Sequence, residues 1–394
     1  MSDRASPDFS RNVHCLLGVP FDAIDMDELS RRVHAAAESR TPCMLTTANV
    51  NFLVSSRQDE SLRHSIIDSD LVVADGMPIV WIAGILGVPV RWRLAGSSLF
   101  ERLRDAPAEP LSVFFFGGAS GIAERASFQL NSEARGLRCV GFLSPGFGPI
   151  EEMGSEATIR EINATGADFL IVALGTRKGQ AWIETNRSRL TIPVVSYLGA
   201  VINFAAGMLR RAPVWVQRAG FEWLWRIKEE PALWRRYAQD GLVLLRLVLT
   251  RVVPLRMHQL RHRPSAEDLR RARVESRSED GSCTLRLHGA WCDRNLDPVR
   301  AAFAAAAARN EDVTLDLAQV SHVDSAFLGL VLLLSGAQRR CRRSLTVTSA
   351  RPVVRRTFHY CLVDRLLAAE AGRSAGRAIG LAPAASPDVE VIRR

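Results

Sequence analysis

Two short stretches place polar side chains directly after apolar runs. Thr47-Ala48-Asn49 closes "CMLTTAN", and Asp75-Gly76 closes "SDLVVADG". A hydroxyl, an amide and a carboxylate at the ends of neighbouring strands could converge on one ligand. Read locally, the same residues also fit ordinary turn chemistry, because Asp-Gly is a frequent turn dipeptide. Gly117-Gly118-Ala119-Ser120-Gly121 follows "VFFF" and could cradle a phosphate at a helix N-terminus. It lacks the full dinucleotide fingerprint and its ribose-binding acid. Asp25-x-Asp27 and Asp68-x-Asp70 invite a metal-diphosphate reading, but neither follows an apolar strand in the way such a motif requires. No metal or other cofactor is therefore expected. His258 and His262 are four residues apart in an arginine-rich stretch with no Glu between them, and they read as solvated.

These residues need a scaffold, and the first two-thirds of the chain supplies one. "CMLTTAN", "SDLVVADG", "VFFFGG", "LRCVGF", "DFLIVALG" and "IPVVSYLG" are short apolar runs, most ending in Gly, Asn or Asp. Helical patterns follow them, as repeated βα units require. Strands so uniformly apolar belong in a largely parallel sheet covered on both faces. Ligands of open α/β sheets gather at the carboxyl ends of the strands, which singles out Asn49, Asp75, Gly117, Gly118 and Gly175.

The chain has 394 residues and a formal net charge of +9, and only two of its 51 cations, Lys178 and Lys228, are lysines. That length suggests two or three domains, and guanidinium suits bidentate recognition of phosphate. Between Gly207 and Arg263 twelve cations face four anions, so +8 of the net charge lies there, interleaved with Trp215, Trp223, Trp225, Trp234 and Tyr237. Basic residues beside Trp and Leu fit a helix lying in the headgroup region of an anionic membrane. A helical hairpin packing its Trp residues on the sheet is the plainer alternative. Single-stranded nucleic acid is a third reading, ranked last because no nucleic-acid module accompanies it, so no nucleic-acid partner is expected. Leu190–Leu209 is uncharged over a span long enough to cross a bilayer, but Pro193, Gly199, Asn203 and Gly207 interrupt it, and it reads better as a buried strand and turn. Seven scattered cysteines without a CxxC spacing and the polar start "MSDRASPDFS" fit a reducing cytosol.

Residues 256–280 are rich in Arg, Glu, Ser and Pro and read as a linker. A second alternation of strands and helices follows over 281–368, enough for one small domain. Residues 369–394, rich in Ala, Gly and Pro, read as a flexible tail.

At this point the order of motifs becomes informative. "TTANVNFLVSSRQDESLRHSIIDSDLVVADGMPIVWIAGILG", "RLAGSSLFERL", "VFFFGGASGIAERA", "VGFLSPGFGP", "DFLIVALGTRKGQAWI" and "GAVINFAAGMLRRAPVWVQRAGFEWLWRIKEEPALWRRY" follow one another over about residues 12–250. Together they resemble the WecG/TagA/CpsF family of bacterial glycosyltransferases. The expected first domain is thus a Rossmann-like, βα-rich glycosyltransferase over 11–255, with 207–255 as its basic helical segment. The resemblance implies an inverting, metal-independent transfer of a sugar from a UDP-sugar to a saccharide on a polyprenyl diphosphate. It implies a cytoplasmic protein held peripherally at the inner face of the membrane, making exopolysaccharide, capsule or cell-wall polymer. By the same resemblance Asp75 is the candidate general base, and Thr47 and Asn49 hold substrate beside it. Arg211, Arg226, Arg235 and Arg236 lie in the block that closes on diphosphate.

Two positions depart from the family pattern. Gly175-Thr176-Arg177-Lys178-Gly179-Gln180 carries Gly179 where glutamine is usual, with Gln180 one residue later. Gln180 is kept as a substrate-binding candidate that swings in from a helix start. Ser98 stands where an acid is usual. The rival reading is a catalytically degenerate, sugar-nucleotide-sensing signalling or scaffold protein that acts through its second domain. The second domain is similar to the STAS fold of anti-sigma factor antagonists, in which an Asp-Ser-Ser-Gly turn presents a phosphorylatable second serine. Here the turn reads Asp324-Ser325-Ala326-Phe327, so Ala326 stands at the phosphate-accepting position. Ser325 is expected to cap the following helix, and the domain to dock a protein partner.

Overall fold

The computed structural model describes residues 7–106, 109–133, 135–146, 148–209, 211–218, 220–279 and 281–367. Residue 368 and the stretch 369–394, expected to be a flexible tail, lie outside them. In chain order the strands are β1 Val13–Leu16, β2 Val19–Asp22, β3 Cys43–Ala48, β4 Leu71–Ala74, β5 Leu111–Gly117 and β6 Leu137–Leu143. There follow β7 Phe169–Ala173, β8 Val194–Tyr197, β9 Arg273–Glu279, β10 Ser282–Trp291, β11 Asp312–Val323 and β12 Leu345–Thr348.

Six of these form one parallel sheet in the order β4-β3-β8-β7-β5-β6. The central strands are buried along nearly their whole length, with Phe114, Phe115, Phe116, Phe169, Leu170 and Ile171 essentially inaccessible. Two separate clusters cover the sheet: Leu29, Val33, Leu99, Phe115 and Ile202 belong to one, and Phe116, Ile162, Trp182 and Val195 to the other. Burial on both faces is the physical cause of strands that read as unbroken apolar runs.

Ahead of this sheet β1 and β2 form an antiparallel hairpin, Val13 opposite Asp22. Its two-residue turn places Leu17 and Gly18 at φ 51° and 84°, the left-handed region that hairpin turns demand. The second domain is a four-stranded sheet in the order β12-β11-β10-β9, parallel except for β9. Ser325–Arg340 is its longest described helix and is buried over most of its length.

The segment 256–280 is not a loop. It contains the end of the helix Val253–Arg261, the helix Ala266–Arg270 capped by Ser265, and all of β9. Strand β9 is an exposed edge strand, paired on one side to β10. Charges on an exposed edge guard it against unwanted pairing, and they also make it look like a linker.

The basic block is helical. Glu222–Glu229 leads through a short turn into Trp234–Leu247, which runs without a break through a π-turn at Val248–Val252 into Val253–Arg261. Three of the Trp residues, Trp215, Trp223 and Trp234, are exposed rather than packed on the sheet. Among the described residues no helix is long and apolar enough to cross a membrane.

Candidate active site

Strands β3, β4 and β8 deliver their carboxyl ends to one side of the sheet, where a cavity of about 640 Å³ opens. Thr47, Asn49, Asp75 and Tyr197 line it from the sheet side, and Glu222, Arg226, Arg236, Tyr237 and Asp240 from the basic helices. The chain thus builds the site from elements about 150 residues apart in sequence.

Asp75 follows β4, and its backbone N–H donates to the Ala48 carbonyl at 2.8 Å, fixing it beside the end of β3. Its carboxylate accepts from the Gly96 N–H at the start of the helix Gly96–Arg104. Burial pushes the carboxyl up to about 6, helped by Glu222 and opposed by Arg93, the Gly96 hydrogen bond and Arg211. Desolvation wins because the charged form loses water that the nearby cations only partly replace. Arg93 donates to Glu222 in a largely buried ion pair, and both line the cavity with Asp75. A carboxylate so placed is ionised at neutral pH yet more basic than a solvated one, as a general base requires.

Thr47 is buried at the end of β3. Asn49 caps the helix Val50–Ser55 by accepting from the Phe52 N–H at 3.3 Å while lining the cavity. The next residue but one, Asn51, donates to Asp240 at 3.0 Å. That bond ties the cap to the helix Trp234–Leu247 and so to the basic side of the cavity.

At the basic end Arg226 pairs with Glu230 at 3.1 Å and lies 5.6 Å from the centroid of Phe204. Its Nη1 is buried without an acceptor. A buried guanidinium donor left open inside a cavity is suited to an anion, because leaving it unpaired is costly. Arg236 lines the same cavity, 5.4 Å from the centroid of Tyr237. Tyr197, with its hydroxyl 3.4 Å from Thr176 Oγ1, completes this end.

The structure brings Thr47, Asn49, Asp75, Arg226 and Arg236 together. It leaves Gly117, Gly118, Gly175, Gln180, Arg211 and Arg235 outside the cavity lining. Gly117, at φ 109°, is dictated by sterics: an added Cβ would stand 2.5 Å from the Ala173 carbonyl oxygen. Gly118 continues that turn, donating to Ala173 O at 3.0 Å. Gly175 precedes the helix Thr176–Asn186 and positions Thr176. Arg235 lies beside the Trp234 ring on the exposed side of its helix. Arg211 donates to Glu101, to Ser98 Oγ at 3.1 Å and to Gln217 at 3.0 Å. Ser98 and Glu101, one turn apart, thus both face Arg211.

Gln180 is buried behind the site, donating to Thr46 Oγ1 at 3.2 Å and Ser65 Oγ at 3.0 Å. One residue along a helix turns the side chain by about 100°. Position 179 therefore faces the cavity side and 180 the core, and Gln180 does not swing in. Both Asp-x-Asp pairs are also spoken for. Asp25 caps a helix, Asp27 pairs with Arg102, Asp68 with Arg339 and Arg340, and Asp70 with Arg187.

Arg93, Glu222, Thr176 and Tyr197 are cavity residues that reading the sequence did not find. Arg93 and Glu222 become a pair only through the fold. Tyr197 had a weak signal, as a polar aromatic closing the apolar run "IPVVSYLG".

Comparison with known proteins agrees with this architecture. The model of the "Glycosyl transferase WecG/TagA/CpsF family" matches residues 14–257, and that of the "Mlab, STAS domain" matches residues 274–368. A protein of Bacillus spizizenii, "N-acetylglucosaminyldiphosphoundecaprenol N-acetyl-beta-D-mannosaminyltransferase", is 28% identical over 193 residues, covering 49% of this chain and 73% of the relative. A Staphylococcus aureus protein of the same description is 24% identical over 217 residues, covering 54% and 82%. With a family match over more than half its length, and with the cavity assembled from the matched region, this chain belongs to the WecG/TagA/CpsF family of glycosyl transferases and carries a STAS domain after the transferase domain.

Proposed function

We propose that the protein transfers a sugar, with inversion, from a UDP-sugar to a saccharide on a polyprenyl diphosphate at an anionic membrane surface. The observation that carries this reading is the polarity of the cavity, with a raised carboxyl, Asp75, among Thr47, Asn49 and the Arg93–Glu222 pair, and Arg226 and Arg236 at the other end. Asp75 takes the proton from the acceptor hydroxyl as that oxygen attacks the anomeric carbon. The bond to the UDP oxygen breaks on the opposite face, and Arg226 and Arg236 stabilise the negative charge that grows on the leaving diphosphate. Thr47 and Asn49 orient the acceptor beside the base. The names of the relatives support an undecaprenyl-diphosphate acceptor and a hexosamine donor. The apolar and basic surface of the Trp234–Arg261 helical run supports peripheral attachment at the inner face of the membrane, in synthesis of a cell-surface polymer.

The test is transfer of labelled sugar to N-acetylglucosaminyl diphosphate on a short polyprenyl chain, using UDP-N-acetylmannosamine, its uronic acid and UDP-glucose as donors. Transfer from one of them, with the anomeric centre inverted, is expected. Tight UDP-sugar binding with no transfer from any donor would overturn the reading in favour of a sensor or scaffold.

A further inference from the structure

We infer that the binding partner of the STAS domain is the transferase domain of the same chain, and that the domain braces the helical run closing the active-site cavity. The face in question belongs to the helix Ser325–Arg340, and the transferase's N-terminal hairpin lies directly on it. The contact is too close for side chains: a Cβ at Gly329 would stand 2.7 Å from the Val13 carbonyl oxygen. His14 Nδ1 lies 3.2 Å from Ser325 Oγ, so the one hydroxyl of the turn already faces the hairpin. Asp324, not Ser325, caps the helix, accepting from the N–H groups of Ala326 and Phe327 at 2.9 and 3.0 Å.

Charge closes the other end of the same face. Asp68 of the transferase is buried, accepting from Arg340 at 3.1 Å and from Arg339. Arg339 also donates to the His64 carbonyl at 3.2 Å, and Arg300 donates to the Arg11 carbonyl at 2.7 Å. Between these ends the core is continuous. Val13, Leu16 and Phe21 of the hairpin, Phe327 and Phe358 of the STAS domain, and Leu247, Val252 and Leu255 of the helical run belong to one buried cluster. One cluster shared by three units means that they are stabilised by the same burial.

The helical run is gripped from the STAS side at two points. Arg251 donates to the His359 carbonyl at 2.9 Å, and His258 Nε2 donates to the Val353 carbonyl at 3.0 Å. The opening turns of this run carry Arg236, Tyr237 and Asp240 into the cavity. Holding its far end therefore sets where the anion-binding end can sit. A domain committed this way has no need of a phosphorylated serine, which accounts for Ala326 at the phosphate-accepting position. Consistent with an internal partner, the exposed large apolar side chains among the described residues all precede residue 261.

The test uses the full chain and two measurements, one of which needs no enzymatic activity. The variant Arg339→Ala/Arg340→Ala strips Asp68 of its cations, and Gly329→Val drives a side chain into the hairpin backbone. Each should speed amide hydrogen exchange across 234–247 by about tenfold or more, since brace contacts set the local opening free energy. Each should also raise the KM for a UDP-sugar, while Ser325→Ala changes neither. Unchanged exchange in both folded variants overturns the brace. If the variants do not fold, a protease site placed at 263–265 of the otherwise intact chain replaces them. The cleaved halves should then stay together on gel filtration, and halves that separate overturn the inference. The turnover arm rests on the proposed transferase activity, whereas exchange and co-migration do not. A chain inactive with every donor but protected at 234–247 would thus sink the activity and keep the brace.

Discussion

The ring of Tyr197 occupies the space that any side chain at Gly179 would need: a Cβ there would stand 2.5 Å from Tyr197 Cδ2. Gly199 is constrained in the same way, its Cβ position falling 2.3 Å from the Tyr197 hydroxyl. Where the family resemblance leads one to expect a glutamine reaching the cavity from the helix, a tyrosine enters instead from the end of β8. Burial raises the Tyr197 hydroxyl above its ordinary range, against Thr176, Arg236 and Arg226, which lower it. The group stays protonated and can donate. Position 179 and the Tyr197 ring therefore compete for one space.

That coupling predicts a reciprocal pair of phenotypes. Tyr197→Phe keeps the ring and removes the donor, and should raise the KM for the UDP-sugar by about 10- to 150-fold, the weight of one hydrogen bond to a charged group. Gly179→Gln alone should overpack the site and cost about 1–3 kcal/mol of stability. Adding Tyr197→Gly should recover much of the loss. Thermal melts on wild type, Gly179→Gln, Tyr197→Gly and the double variant, with steady-state kinetics on Tyr197→Phe, decide it, and additive single effects would show the residues to be independent.

Asp75 predicts a pH profile with a defined sign. With its carboxyl at about 6, the rate should fall tenfold per pH unit below 6 and level off above 7. Glu222→Gln removes a charge that raises Asp75 and should move the inflection down. Arg93→Met removes the strongest opposing cation, leaves Glu222 only Arg211 at 3.9 Å, and should move it up. An inflection that ignores both substitutions would assign the titration to another group.

Asp75→Asn should lower turnover by about 10²- to 10⁴-fold and yet raise the melting temperature at pH 7. The folded carboxyl, at about 6, lies above its ordinary value of 3.8, so ionising it opposes folding. That cost is absent below pH 3.8, grows between 3.8 and 6, and is complete above 6. The stability gain of the amide should therefore vanish at pH 4. A variant less stable than wild type at pH 7 would mean that the charge is compensated by its neighbours.

Much of this fold was legible because buried parallel strands leave a plain trace: "VFFFGG" and "DFLIVALG" are apolar from end to end. Thr47, Asn49 and Asp75 were legible because they follow such runs. The hairpin was not, since four-residue strands buried on both faces have no period, and only Leu17-Gly18 marks the turn. Strand β9 was hidden by its own edge charges. Gly117 and Gly118 fall outside the cavity lining, because glycine reports backbone crowding as readily as ligand approach. Gln180 was misplaced because a one-residue offset on a helix exchanges cavity for core, and spacing does not reveal which face is which.

The membrane surface gives the last prediction. Along the helical run Leu242, Leu245, Leu249, Val253, Met257 and Leu260 are exposed and recur every three or four residues, so they form one apolar stripe. Arg246, Arg256 and Arg261 are exposed on the same run, and Trp81 and Ile85 of the adjoining helix Met77–Leu86 are exposed as well. Such a surface should insert shallowly into the headgroup region, with each arginine near the surface adding about 1 kcal/mol that salt removes. Binding to anionic vesicles should therefore weaken from low to high salt without disappearing, because the apolar contribution is not screened. Leu245→Glu/Leu249→Glu should abolish the salt-resistant part, and because both side chains are already exposed the melting temperature should hold. Replacing Arg246, Arg256 and Arg261 by Gln should abolish the salt-sensitive part instead. Vesicle sedimentation of the three proteins at two salt concentrations separates these effects. If the double Glu variant sediments like wild type, the stripe is not the membrane face.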